Sequence, residues 1–179
     1  TTQAEEEKRF RENPTPKKRY RMTITIENAP DKLEKLYTYA NYQTQNAWYH
    51  LKGLAGVKLQ PSHTIPLEFK KISDDQYQGD FYVDGMIDED YGYGNGICHW
   101  HLVNISAIFK ATGVEDETRF SASISADELS KSYFEKNHLK RNYPKSQKID
   151  NYLSQGQLKK ELFRPDEYFT FLIEVEEFV

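Results

Sequence analysis

Residues 19–27 read Arg-Tyr-Arg-Met-Thr-Ile-Thr-Ile-Glu, with Tyr20, Met22, Ile24 and Ile26 on one parity and Arg21, Thr23, Thr25 and Glu27 on the other. Side chains of an extended strand alternate between two faces, so this pattern buries one face and wets the other. It recurs at the far end, where Phe169, Phe171, Ile173 and Val175 share one parity within residues 168–179. Between them, residues 65–72 (Leu67 and Phe69 alternating with Glu68 and Lys70) and 77–83 read as a hairpin about the Asp74-Asp75 turn signal. Residues 97–110 form the longest apolar-patterned stretch and read as a central strand, and Phe120, Ala122 and Ile124 alternate with Ser121, Ser123 and Ser125 in another. Residues 32–51 permit either a short helix or a strand; Tyr-Thr-Tyr and Gln-Thr-Gln favour the strand.

Strands at short spacing without strand–helix alternation predict a mainly β chain, an antiparallel β-sandwich with one or two short helices. Asp127 is placed to cap one helix through about Lys136, and Leu153, Leu158 and Leu162 permit a second. The sandwich is expected over residues 18–179. Residues 1–17, with Glu5, Glu6, Glu7, Lys8, Arg9 and Arg11 followed by Asn13-Pro14-Thr15-Pro16, read as a flexible or extended tether. Thr1 is not a methionine, which leaves open a removed export leader or a start chosen for expression.

Composition narrows the function classes. Hydrophobic residues make up only 37%, but 13 Tyr and 10 Phe supply ring area for a core. A net charge of -4 lacks the basic excess of a nucleic-acid binder, so no nucleic acid is expected as partner. No apolar run approaches membrane-spanning length. The lone Cys98 forbids an internal disulfide.

The most unusual segment is residues 80–101, with Asp84, Asp88-Glu89-Asp90, Tyr91-Gly92-Tyr93-Gly94-Asn95-Gly96 and Cys98-His99-Trp100-His101. Asp84, Asp88, Asp90 and Asn95 could offer oxygens to calcium, although the helix–loop–helix spacing is absent. His99 and His101 stand two apart, which on a strand permits a shared metal as in cupins. The Glu that follows the cupin His pair is missing, with Leu102, Val103, Asn104 and Ile105 in its place. On a strand, Trp100 would then face the core. No Gly-x-Ser-x-Gly elbow or phosphate loop occurs. The reading is a binding protein rather than an enzyme, with no catalytic residues, no cofactor and no metal.

The order of short motifs adds a resemblance. Lys18-Arg19-Tyr20-Arg21-Met22-Thr23-Ile24-Thr25-Ile26-Glu27-Asn28-Ala29-Pro30 comes first, then Ile65-Pro66-Leu67 and Tyr77-Gln78-Gly79-Asp80-Phe81-Tyr82-Val83-Asp84. Asp88-Glu89-Asp90-Tyr91-Gly92, Gly96-Ile97-Cys98-His99-Trp100, Ala111-Thr112-Gly113 and Thr118-Arg119-Phe120 follow. Over about residues 18–125 this string resembles the small periplasmic lipoproteins encoded beside type VI secretion phospholipase effectors, which act as their immunity proteins (the Tli type). The chain departs from that family where Ala47-Trp48-Tyr49 replaces an associated cysteine, and it shows no lipid-bearing Cys at its start. The resemblance implies a periplasmic protein, membrane-anchored only through a lipid on its precursor and monomeric when free. It would bind a secreted lipase and block that enzyme's active-site entrance. Candidate contacts are the acidic loop Asp88, Glu89, Asp90, Tyr91, Tyr93 and Asn95, and the basic, aromatic stretch with His138, Arg141, Tyr143 and Tyr152. The rival readings are the cupin-like metalloenzyme using His99 and His101 and a calcium-dependent ligand-binding sandwich.

Overall fold

The computed structural model describes residues 2–51, 53–158 and 164–178. After a short helix α1 (Gln3–Glu7), the strands are β1 (Arg19–Glu27), β2 (Lys35–Thr44), β3 (Tyr49–His50), β4 (Lys58–Leu59), β5 (Ser62–Pro66), β6 (Lys70–Ser73) and β7 (Gln76–Tyr82). Then come β8 (Trp100–Lys110), β9 (Arg119–Ser121), β10 (Ile124–Ser125), β11 (Tyr133–Leu139), β12 (Leu153–Ser154) and β13 (Tyr168–Phe178). One sheet runs β11-β13-β1-β7-β6, the other β12-β9-β8-β2-β5 with β10 beside β8, and β3 pairs β4. All pairings are antiparallel except β12 with β9. The expected mainly β, sandwich-like architecture is the one observed.

The alternation explains the core. Met22 and Ile24 of β1, and Phe169, Phe171 and Ile173 of β13, are fully buried, and β1 pairs with β13 along its whole length. Across the sandwich, Phe109 of β8 stacks on Phe171 with centroids 4.8 Å apart and meets Tyr77 of β7 edge-on at 5.3 Å. Rings therefore join the sheets where aliphatic residues are scarce. The ambiguous residues 32–51 contain strand β2, and residues 97–110 contain the central strand β8.

Four expectations need correction. Residues 65–72 are not one hairpin arm: they pass from β5 in one sheet to β6 in the other. Pro66 has no N–H to extend the ladder, and Leu67 makes the last bond back, its N donating to Thr38 O at 3.0 Å. The helix over 127–136 is only a 3-10 turn (Ala126–Ser130) capped from Ser125 with Glu128, and Tyr133–Leu139 is strand β11, drawn out by its ladder to β13. The second helix does not form around Leu153, which lies in β12, or Leu158; Leu162 is outside the described residues, as is Val179 of the terminal strand. The tether is the fourth case. Phe10 is 6% exposed, Asn13 N donates to Gly85 O at 2.8 Å, and Ile87 N donates to Arg11 O at 3.0 Å, so residues 3–13 lie docked on the domain. One aromatic side chain seated in a ring-lined recess outweighs the polarity around it.

Gly79 of β7 sits beneath the Phe69 ring, where an added Cβ would come within 2.1 Å of ring carbon Cδ1. Gly79→Ala is expected to displace that ring from the crossover and lower stability by about 1–3 kcal/mol. A urea midpoint equal to that of the parent protein would show that the ring moves aside freely.

Candidate functional site

Strand β8 begins at Trp100 and ends at Lys110, and 11 residues of strand span roughly 33 Å. The two predicted contact regions lie at its opposite ends. At the Trp100 end sit the docked N-terminal segment, residues 45–51 and 53–59, and the acidic loop. At the Lys110 end sit residues 28–34, 111–118 and 140–152; Tyr143 Oη donates to Lys32 O at 2.6 Å and Thr118 N donates to Pro144 O at 3.0 Å. The two loops therefore cannot form one contact surface.

At the Trp100 end, aromatic rings form a braced platform. Phe10 meets Tyr91 edge-on at 5.1 Å and Trp100 at 5.3 Å, and Tyr49 stacks on Tyr93 at 5.5 Å. The Arg9 guanidinium lies 5.9 Å from the Tyr91 ring and 5.8 Å from the Tyr93 ring, and donates to Tyr91 O. Glu6, buried at the foot of this cluster, pairs with Arg9 at 3.0 Å and accepts from Tyr93 Oη. Burial, then the Glu6 carboxylate, push the Tyr93 phenol far above its ordinary value, so it stays a neutral donor.

The loop carboxylates are engaged in building this end. Asp84 accepts from Lys17 N and Lys18 N, both at 2.9 Å. Asp88 accepts from Trp100 N at 2.9 Å and lies 3.0 Å from His99 Nδ1; Asp90 accepts from Gly92 N at 2.8 Å. Glu89 pairs with Arg11 at 3.2 Å. Burial would raise the Asp84 carboxyl, yet the Lys17 and Lys18 amides hold it below its ordinary value. Asp84, Asp88 and Asp90, three of the four oxygen donors considered for calcium, are thus held at separate loop anchors. Among the described residues no three His, Cys, Asp or Glu side chains converge as a metal would need. His99 is turned to Asp88, and His101 Nδ1 is buried without a partner among the described residues. Trp100 is packed against the core as expected. Cys98 is fully buried, and burial raises its thiol, which keeps it protonated and unreactive.

Tyr91 is also buried, so it supports the loop instead of contacting a partner. Exposed around this end are Asp88, Asp90 and Asn95, and four large apolar side chains, Trp48, Leu54, Val57 and Ile97, between 38% and 55% exposed. None of the four was singled out from the sequence, because a single exposed apolar residue has no periodic signature. Asn46 ties the segment that carries Trp48 to the one that carries Ile97, its Nδ2 donating to Ile97 O and its Oδ1 accepting from His99 N, both at 2.8 Å.

At the Lys110 end, Arg141 is exposed and Tyr143 and Tyr152 are half-buried. His138 is 1% exposed and cannot touch a partner. Its Nε2 lies 2.8 Å from Ser121 O, an acceptor only, so Nε2 carries the proton; Nδ1 then accepts from Ser154 Oγ at 2.6 Å. The neutral imidazole ties β11 in one sheet to β9 and β12 in the other. The Phe120, Phe169 and Phe171 rings enclose it, with centroids 5.1–5.6 Å away. Burial first, with the nearby Lys136 charge, lowers its pKa to about 4, against a partial rise from the Ser121 carbonyl.

No helix among the described residues is long and apolar enough to cross a membrane. Compared with protein-family models, curated proteins and solved structures, the chain matches none.

Proposed function

We propose that this chain is an immunity protein that binds a secreted lipase or phospholipase effector in the periplasm and covers its active-site entrance with the Trp100 end of the sandwich. The observation that carries this reading is the set of exposed apolar side chains, Trp48, Leu54, Val57 and Ile97, around a braced aromatic platform and beside the Asp88 and Asp90 carboxylates. Protein interfaces combine such an apolar centre with a polar rim, and aromatic anchors contribute most of their affinity. The carboxylates would add on-rate and selectivity toward a basic rim on the enzyme. The motif string over residues 18–125 supplies the kind of partner.

The test is titration of the chain into the secreted lipase encoded beside it, with hydrolysis of phospholipid vesicles as the readout. Inhibition should be complete at one-to-one stoichiometry. The double change Trp48→Ala with Ile97→Asp should weaken it at least 30-fold, on the order of 2 kcal/mol for a central anchor. Val114→Ala, at the opposite end, should leave it unchanged. Undiminished hydrolysis at excess chain, or the absence of any lipase gene next door, would end this reading.

A further inference from the structure

A cavity lies at the Lys110 end, away from the surface assigned to the lipase. Between β11 and β12 the chain curls round a cavity of about 470 Å³. That lies within the ~300–1,000 Å³ range of small-molecule sites. Its polar lining has one sign. Arg141 and Lys148 contribute cations, Asn142 and Gln147 contribute amides, and no carboxylate lines it. Neither cation pairs with a carboxylate among the described residues, whereas Lys145, between them in sequence, pairs with Asp116 at 2.7 Å and Asp150 at 3.2 Å. Lys145 is thus neutralised by two carboxylates, whereas the two cations that line the cavity have no carboxylate partner among the described residues. The apolar wall comes from Ile149 and Tyr152, and Ile149 remains 59% exposed. An anionic head would meet two cations and two free amides, and an apolar body would cover the exposed Ile149.

We propose that this cavity binds an anionic amphiphile, with a carboxylate or phosphate head held by Arg141 and Lys148 and an apolar body laid against Ile149 and Tyr152. Fatty acids and phosphate-headed lipids share this chemistry, and two probes separate them: decanoate and decyl phosphate, each titrated calorimetrically below its micelle concentration. At least one should bind saturably at one site, and the tighter of the two identifies the head group. Decyltrimethylammonium, with the same tail and opposite charge, should bind at least tenfold more weakly. Arg141→Glu with Lys148→Glu should weaken the anion at least tenfold at an unchanged melting temperature; Arg141→Gln with Lys148→Gln supplies the same comparison if charge reversal lowers that temperature. Equal binding of the cationic probe, unchanged binding by the charge variants, or no saturable binding of either anion would overturn the proposal.

Discussion

Phe10→Ala is expected to destabilise the protein by about 3–5 kcal/mol, although the residue lies in a segment whose composition marks it as a tether. The ring is buried against Tyr91 and Trp100, so truncation opens a void between the N-terminal segment and the platform. Its neighbours depend on the same docking: Arg9 reaches Tyr91 O, and Glu6 accepts from Tyr93 Oη. Urea denaturation followed by tryptophan fluorescence measures the effect, because Trp100 loses its edge-on partner. Trypsin offers a second readout, with cleavage after Arg9 or Arg11 accelerating when the segment lifts. A variant as stable and as protease-resistant as the parent would mean that the segment contributes nothing. The candidate interface depends on this result too, since the platform beneath Trp48 and Ile97 is completed by the docked segment.

Acid should weaken the fold through His138 before the carboxylates matter. The unfolded imidazole takes a proton near its ordinary value of 6.5, while the folded one refuses it until about 4. Its contribution is therefore complete above pH 6.5 and is lost as the pH falls from 6.5 toward 4. A separation of this size corresponds to roughly 3 kcal/mol at the acid end. Asp84, Asp116 and Glu117, all held below their ordinary values, lose their contributions at lower pH. Urea midpoints at pH 7.5 and 4.5 should differ accordingly, and His138→Gln should remove most of that difference while costing stability at neutral pH. An imidazole titrating near 6.5 in the folded protein by NMR would sink the prediction.

The readable parts of the site were its local chemistry and not its assembly. The acidic, glycine-rich loop stands out in the sequence, and it does build one end of the sandwich. Its use of Asp84, Asp88 and Asp90 as amide acceptors depends on Lys17, Lys18 and Trp100 arriving from other parts of the chain. His138 lies in the polar run Glu-Lys-Asn-His-Leu, where nothing local signals burial. The exposed apolar residues come from three separate segments: Trp48 precedes β3, Leu54 and Val57 share the β3–β4 loop, and Ile97 precedes β8.

By itself the sequence determined the strands that bury a single face, β1 and β13 above all, because period-2 alternation records one-sided burial residue by residue. It also determined that rings would fill the core, since little else in the composition could. Tertiary structure alone decided that residues 65–72 divide between two sheets, that Phe10 turns a polar arm into part of the fold, and that the two candidate loops face opposite ways. Each of these depends on contacts between residues distant in sequence, and such contacts leave no periodic trace along the chain.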